Sequence, residues 1–292
     1  MNPNSAYASL DPSQIMTGPG FRAYHLDLIG DEVADTVLTV GDPDRIDQLL
    51  PHFASIDLER RKREFRTVTG TIRGHKMTVL STGMGSDNVD IALNELELVA
   101  NWDLEKRLPN KLRRHLQIIR LGTSGALQED LGIDRLLVST AACSMDSLHH
   151  FYPQAAADGL NIALQEFTNR YRFPRLLPFY PDKTISQRLI SSGMEQGITY
   201  TACGFYGPQG RKIWEGATQD RMLDRLSAFR SGEDRITNVE METAALFHLG
   251  SVFGHQMASV SALLANRASG QTSADPEKTV KRLIDQSLDV LF

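Results

Sequence analysis

Short apolar runs bounded by glycine, proline or aspartate recur along the chain, and amphipathic stretches separate them. Such runs are typical of buried strands. The predicted strands are Thr36–Val40, Thr67–Ile72, Met77–Leu80, Gln117–Leu121, Leu136–Ala142, Thr199–Cys203 and Met257–Leu264.

Apolar residues at helical spacing predict helices in two further segments. In Asn88–Asn101 they occupy positions 89, 92, 93, 96 and 99, and Asn88 is a suitable N-cap. The last helix is predicted to open at Asp275–Pro276, with an apolar face at positions 280, 283, 284, 288 and 291.

Strands that alternate with helices predict a layered α/β fold. The strands Thr67–Ile72 and Met77–Leu80 form a predicted hairpin that turns at Arg73–Gly74, so the sheet should be mixed. We therefore expect a single-domain, three-layer α/β/α fold with a central mixed β-sheet. Residues 1–20, rich in proline, glycine and serine, are expected to be a flexible tail, and residues 21–292 the domain.

The charge distribution argues against several classes of partner. The 292 residues include 31 basic and 36 acidic side chains without a basic run, so we expect no binding to nucleic acid or to a membrane surface. The N-terminus lacks the features of a signal peptide, and no apolar stretch is long enough to span a membrane. Two cysteines, Cys143 and Cys203, lack metal-ligand spacing. They fit buried structural thiols in a cytoplasmic protein and predict no metal site.

The segment Gly41–Arg45 follows a predicted buried strand and opens a helix. Ligands of α/β proteins bind at such strand ends. Gly41 would let the backbone approach an anion, and Arg45 would add a bidentate donor. The alternative is a proline-containing turn with a solvated arginine.

Arg120 follows two isoleucines inside an apolar strand and precedes the segment Leu121–Gly125. A buried arginine needs an anionic partner. Gly122 and Gly125 flank two hydroxyl residues, a composition suited to wrapping an oxyanion. The sequence favours an anion site here, and an internal arginine–carboxylate pair is the alternative.

Two weaker signals lie in the first third of the chain. The Gly/Ser-rich turn Ser81–Ser86 closes a predicted strand before a helix, as many ordinary turns do. Arg63 adds a cation, but the segment 59–66 is crowded with charge, so a solvated face is its default interpretation.

Two acidic residues, Glu240 and Glu242, lie just before an apolar helix. If this segment is extended, both carboxylates face one way and could accept hydrogen bonds from sugar hydroxyls. An acidic first helical turn, favoured by the helix dipole, is the alternative.

The loop Phe205–Arg211 combines an aromatic ring with Gln209 and Arg211 among glycine and proline. These side chains could stack on a base and hydrogen-bond its edges. An ordinary surface loop is the alternative.

Together the five motifs resemble, in order, those of the nucleoside phosphorylase family, which includes uridine phosphorylases, bacterial purine nucleoside phosphorylases and nucleosidases. The resemblance extends from about His25 to the C-terminus. It implies phosphate binding by Gly41, Arg45, Arg120 and Thr123. A further arginine comes from the neighbouring subunit, and Arg63 in the Arg-Glu-Phe segment matches it.

The resemblance also implies that Met241 and Glu242 bind ribose and that His25 reaches the ribose 5′-hydroxyl across a dimer. Phe205, Gln209 and Arg211 match the uracil-recognition loop of uridine phosphorylases. Purine enzymes tend to carry an aspartate after the strand near residue 264, where this chain has Asn266–Arg267. Both features favour a pyrimidine. Some relatives bind a monovalent cation near the turn that holds Asn88, but Asn88 replaces a serine, so we predict no such ion.

The predicted reaction is uridine plus phosphate to uracil plus ribose 1-phosphate. Arg120, Glu242, Arg211 and Gln209 are the expected catalytic residues, and phosphate is a co-substrate with no cofactor. The expected assembly is a homodimer, or a hexamer built from such dimers. The alternatives are a purine nucleoside phosphorylase, a nucleosidase of the same fold and, from another class, a non-catalytic nucleoside-binding protein.

Overall fold

The apolar runs form strands, and the pairing of those strands sets their ends. The computed structural model describes residues 10–154, 158–211, 213 and 222–292. The strands are β1 (Thr17–Gly18), β2 (Arg22–Ala23), β3 (Thr36–Val40), β4 (Phe53–Lys62), β5 (Phe65–Ile72), β6 (His75–Ser81), β7 (Trp102–Asp103), β8 (Leu108–Pro109), β9 (Gln117–Ala126), β10 (Leu136–Ser144), β11 (Leu177–Phe179), β12 (Glu195–Thr201), β13 (Arg230–Ser231), β14 (Asp234–Glu240) and β15 (Gln256–Asn266). The helices are α1 (Ile46–Leu49), α2 (Ser86–Asn101), α3 (Gly159–Tyr171), α4 (Lys183–Ser191), α5 (Met222–Ser227), α6 (Thr243–Phe253) and α7 (Pro276–Leu291).

The chain divides into two compact units. The first comprises the described residues up to Gly83 together with Asp90–Ile118. Within it β3 runs parallel to β6, whereas β5 is antiparallel to both β6 and β4. The β5–β6 hairpin turns at Arg73 and Gly74, which have φ values of 50° and 81°. The predicted hairpin and the mixed character of the sheet are therefore confirmed.

The second unit comprises Met84–Val89 and the described residues from Ile119 onward. Here β10 is parallel to β12 and antiparallel to β15, and β12 is parallel to β14. β9 neighbours β15 and also pairs with β14, so β14, β12, β10, β15 and β9 form a closed ring. The α/β class with a mixed sheet is confirmed, while the closure of the ring has no signal in the apolar pattern.

Several predicted boundaries were wrong. Helix α2 begins at Ser86, so Asn88 lies inside it and donates its side-chain amide to the Met84 carbonyl at 3.1 Å. Strand β9 runs on to Ala126, because its glycine-rich end pairs with β14 instead of turning. Strand β12 spans Glu195–Thr201 because its parallel pairing with β10 covers that range.

The last helix matches its prediction closely. The Asp275 side chain accepts a hydrogen bond from the Lys278 amide, Pro276 is the first helical residue, and the five predicted apolar positions are buried. Cys143 is buried, but Cys203 is exposed, so the expectation of two buried thiols was wrong for Cys203. Within the described ranges, no helix is long and apolar enough to cross a membrane.

The predicted tail lies partly outside the described residues. In its described part, Ile15 is buried and β1 pairs with β2. The domain boundary at residue 21 stays a prediction.

Candidate active site

The segment from Glu240 to Glu242 brings two carboxylates together in the second unit. Glu240 is the last residue of β14, and Glu242 is the residue just before α6. The two side chains are 2% and 7% exposed, and both reach the guanidinium of Arg120. Both carboxylates therefore face one way, as the extended interpretation required, although Met241 and Glu242 lie in a bend after the strand.

Arg120 is held by these two carboxylates at the centre of strand β9. Its Nη2 lies 2.6 Å from Glu242 Oε2 and 3.2 Å from Glu240 Oε2, and its Nη1 lies 3.4 Å from Ser261 Oγ. Burial alone would lower the pKa of Arg120, but the two carboxylates raise it above its usual range. Arg120 thus has the carboxylate partners of the alternative interpretation, and its role toward phosphate stays a prediction.

Neutral hydrogen-bond donors stabilise most of the negative charge of the second carboxylate, that of Glu240. Glu240 accepts hydrogen bonds from the backbone amides of Glu242 and Thr243 at 2.9 Å. It also accepts from the hydroxyls of Thr243 at 2.9 Å and Thr201 at 2.6 Å. These amides open α6, so Glu240 also interacts favourably with the helix dipole. Both interpretations of the acidic segment are therefore partly right.

Glu242 is less completely satisfied. Its Oε1 accepts a hydrogen bond from the Gly85 amide at 2.7 Å, and its Oε2 accepts from Arg120. Burial raises the pKa of Glu242, the Arg120 charge opposes this shift, and the Glu240 charge adds to it. A carboxylate has about four acceptor positions, so about two remain on Glu242 for a ligand.

Gly122 leaves the space that the Arg120 side chain occupies. A Cβ atom at position 122 would lie 1.7 Å from Arg120 Nη1. Thr123 is half-buried in β9, and the neighbouring Ser124 hydroxyl accepts a hydrogen bond from Asn238 Nδ2 at 2.9 Å. The glycine-rich end of β9 therefore leaves room for the Arg120 guanidinium, and this does not depend on a ligand.

The predicted base loop is a fixed cluster of three side chains. Arg211 Nη1 donates to Gln209 Oε1 and to the Phe205 carbonyl, both at 2.6 Å. The Arg211 guanidinium carbon lies 3.6 Å from the centroid of the Phe205 ring, a cation–π contact. Gln209 is 3% exposed. The structure therefore brings Phe205, Gln209 and Arg211 together, as the sequence predicted.

Arg267 is a candidate residue that the sequence analysis missed. Burial lowers the pKa of Arg211, and the nearby charge of Arg267 lowers it further. Burial also lowers the pKa of Arg267, whose buried Nη1 has no hydrogen-bond partner among the described residues. Its position directly after β15 was the signal that could have identified it, because strand ends carry ligand-binding residues.

In the first unit, Gly41 and Arg45 follow the end of β3 as predicted. Asp42 accepts a hydrogen bond from the Asp44 amide and caps a short 3₁₀ turn at Pro43–Arg45. A Cβ atom at Gly41 would lie 3.5 Å from the Gly83 carbonyl oxygen. Arg45 is half-buried.

His25 and the turn that carries Arg63 are also brought together in the first unit. Lys62 donates to the Tyr24 carbonyl, and the Phe65 ring lies 6.4 Å from the His25 ring. Arg63 is exposed with a φ of 54°, and no described residue pairs with its guanidinium. The two residues predicted to act across a dimer therefore belong to adjoining segments of one unit.

A buried carboxylate–guanidinium cluster at the end of a strand such as β14 is typical of an α/β protein that binds a polar small molecule. Among the residues whose placement is described, no group of three or more histidine, cysteine, aspartate or glutamate side chains could hold a metal ion. Residues 35–291 match the phosphorylase superfamily, and the chain belongs to that family.

The chain is similar to uridine phosphorylase of Thermococcus kodakarensis, with 27% identity over 274 residues that cover 92% of this chain and 86% of the relative. It is also similar to a DeoD-type purine nucleoside phosphorylase of Listeria welshimeri, with 25% identity, 87% of this chain and 92% of the relative. Among solved structures it resembles the Trypanosoma brucei nucleoside phosphorylase that shows uridine phosphorylase activity. That likeness has a TM-score of 0.86 and 27% identity, and it covers 95% of this chain and 99% of the other.

Proposed function

We propose that the protein cleaves uridine with inorganic phosphate to give uracil and ribose 1-phosphate. The observation that carries this proposal is the Phe205–Gln209–Arg211 cluster, in a chain that is similar to uridine phosphorylases over most of its length. The catalysed step is a pentosyl transfer in which the N-glycosidic bond breaks and a bond from ribose C1′ to a phosphate oxygen forms.

Glu242 is the proposed ribose ligand. Its two remaining acceptor positions fit two neighbouring hydroxyl donors, the 2′- and 3′-hydroxyls. Positive charge grows on the ribose as the bond breaks, and a buried carboxylate stabilises it. Met241, half-buried between the two glutamates, is proposed to pack against the sugar.

Phosphate is the proposed nucleophile, and Gly41, Arg45, Arg63, Arg120 and Thr123 are its proposed ligands. Arg120 carries five N–H donors, of which the described contacts to two carboxylates and one hydroxyl use only some. Binding phosphate at a fixed place replaces an unfavourable encounter between separate solutes.

Gln209 and Arg211 are proposed to bind the uracil edge, where negative charge grows as the base departs. The amide and the guanidinium are already fixed by their mutual hydrogen bond, so they need little rearrangement in the transition state. We add Arg267 to this site, since its charge lies near Arg211 and its buried Nη1 lacks a described partner.

Asn266 favours a pyrimidine over a purine substrate. Its amide donates to the carbonyls of Gln128 at 2.9 Å and Leu131 at 2.7 Å. Its oxygen accepts from the amides of Ala268 and Ser269 at 2.9 and 3.0 Å. The Asn266 side chain therefore stabilises the turn after β15 and donates no proton to a purine ring.

A panel of nucleosides, assayed with and without phosphate, tests the proposal. We expect uridine to be cleaved only when phosphate is present and to be cleaved faster than inosine. Equal turnover without phosphate would identify a nucleosidase, and faster turnover of inosine would identify a purine enzyme. Binding of uridine without any cleavage would support a non-catalytic protein.

We further propose a cytoplasmic homodimer, or a hexamer assembled from such dimers, in which each active site includes His25 and Arg63 from the partner subunit. The support is that both residues lie in adjoining segments and that Arg63 is exposed at a turn tip. A two-fold dimer uses one surface patch twice, so each subunit would supply these residues to the other.

Subunit mixing tests the exchange of residues. Arg63→Ala and Arg211→Ala variants, each expected to be nearly inactive, are mixed under conditions that let dimers exchange. One site of a mixed dimer then combines an intact Arg211 with an intact Arg63. Random mixing makes half of the dimers mixed, so about a quarter of the wild-type sites should regain activity. Verified exchange without recovery would mean that Arg63 serves its own subunit or no site.

A further inference from the structure

The side chain of Glu95 is devoted to one target, the segment that carries His25. Glu95 lies in α2 and is 8% exposed. Its two oxygens accept hydrogen bonds from the His25 amide at 2.9 Å and from the Leu26 amide at 2.7 Å. Its Oε1 also lies 2.7 Å from the Nδ1 atom of the His25 ring. One buried carboxylate therefore holds both the backbone and the ring of this residue.

These contacts determine which ring nitrogen carries the proton. A carboxylate can only accept, so Nδ1 of His25 has to be the donor in the contact with Glu95. In the neutral imidazole, Nε2 is then a bare acceptor. The ring is further confined by the Tyr24 ring, whose centroid lies 4.9 Å away in an edge-on arrangement. About a quarter of the His25 side chain stays exposed to contact a ligand.

We propose that Glu95 is a positioning residue that fixes His25 as the Nδ1–H tautomer and thereby makes the ribose 5′ subsite select a hydrogen-bond donor. This inference rests on the proposed function, in which His25 contacts the 5′-hydroxyl. Nε2 then accepts the hydrogen of that hydroxyl. A group at the 5′ position that donates is favoured, and one that cannot donate loses this bond.

Glutamine at position 95 is expected to reverse the arrangement. Its amide oxygen accepts from the two backbone amides, so its NH₂ group faces Nδ1 of His25. Nδ1 then becomes the acceptor, and the proton moves to Nε2. Glu97 offers a matched control in the same helix. It is also 8% exposed, but its partners include Asn101 at 2.7 Å and Arg113 at 2.8 Å.

The first measurement needs no substrate. Two-dimensional ¹H–¹⁵N spectra of ¹⁵N-histidine-labelled protein report the tautomer of each ring, and a His25→Gln variant assigns the His25 signals. We expect Nδ1–H in the wild type and in Glu97→Gln, and Nε2–H in Glu95→Gln. An Nε2–H tautomer in the wild type, or an unchanged tautomer in Glu95→Gln, would overturn the proposal.

The second measurement compares uridine with 5′-amino-5′-deoxyuridine, whose protonated amine can only donate. The wild type accepts this donor at Nε2, whereas Glu95→Gln presents an N–H to it. The ratio of kcat/KM for the amine to kcat/KM for uridine should fall at least about tenfold in Glu95→Gln. It should stay within about twofold in Glu97→Gln, since a merely structural loss affects both substrates alike.

A third substrate, 5′-deoxyuridine, helps to distinguish a failure of the proposed Glu95 role from a failure of the proposed function. This substrate makes no bond at the 5′ position, so its kcat/KM should change less than about twofold between wild type and Glu95→Gln. An unchanged amine-to-uridine ratio would overturn the role of Glu95 at the subsite. If the wild type cleaves no uridine at all, the proposed function fails, while the tautomer measurement still supports or overturns the assignment to Glu95.

Discussion

Replacing Arg120 by methionine would leave Glu240 and Glu242 buried without their shared guanidinium. Methionine fills much of the volume, so the change removes charge more than packing. Breaking a buried ion pair by removing one partner costs about 3–5 kcal/mol, because the other charge stays desolvated. With both glutamate side chains no more than 7% exposed, we expect a loss of that size in the free energy of unfolding.

Urea denaturation in phosphate-free buffer measures this loss without stabilisation by a bound ligand. Arg235→Met is the control, since Arg235 makes a bidentate pair with Asp130 whose side chain is 63% exposed. Exposed pairs contribute about 0–1 kcal/mol. A loss for Arg120→Met no larger than the loss for Arg235→Met would refute the argument that the cluster is energetically coupled.

The pH dependence of the free energy of unfolding provides a second test on the Arg120→Met variant. Burial already raises the pKa of Glu242, and removal of Arg120 should raise it further. A carboxyl with a raised folded-state pKa binds its proton more tightly than in the unfolded chain. Its contribution to stability is full below the unfolded pKa and is lost as the pH rises through the folded pKa. Arg120→Met should therefore lose stability relative to the wild type as the pH rises above the unfolded-state pKa of glutamate, by up to about 1.4 kcal/mol per pH unit. Adding Glu242→Gln should abolish most of this slope.

Three further predictions concern other parts of the fold. Arg211→Ala should lower kcat/KM for uridine by about 10²–10³ with little change in phosphate binding, since a charge-assisted contact to the departing base is lost, and near-normal kinetics would contradict the assignment. Gly122→Ala should lower the free energy of unfolding by about 1–3 kcal/mol in urea denaturation, because the new Cβ would clash with the fixed guanidinium of Arg120. A loss below about 0.5 kcal/mol would show that the Arg120 side chain moves freely. Burial, together with the neighbouring His248, lowers the pKa of His149 to about 4, so stability should fall from pH 6.5 to 4 as the unfolded chain gains a proton that the folded chain lacks. This slope should flatten in His149→Phe, and an unchanged slope would assign the effect to other groups.

The sequence predicted the α/β class and seven of the strands, because these strands are short apolar runs bounded by glycine, proline or aspartate. The α7 helix was predictable to its first residue, since an aspartate cap, a proline and a one-sided apolar stripe all agree. The ends of β9 and β12 were not, because they depend on pairing with strands that lie far away in the chain. The same long-range pairing closes the ring of the second unit.

For the candidate site, local motifs predicted which residues matter better than how they interact. The cluster of Phe205, Gln209 and Arg211 follows from one loop and was predictable. The convergence of Arg120 on two glutamates more than a hundred residues later was only one of two open alternatives. Arg267 and the contact between Glu95 and His25 were missed. An arginine after a strand and a glutamate in a helix are both common, and the residues near them in space are distant in sequence.

The central claim is that phosphate, and not water, attacks the ribose of uridine. The most direct measurement follows uracil by absorbance and ribose 1-phosphate by ³¹P NMR in the same reaction. We expect one ribose 1-phosphate for each uracil released, and no uracil in phosphate-free buffer. Release of uracil with free ribose and no new phosphorus signal would contradict the account.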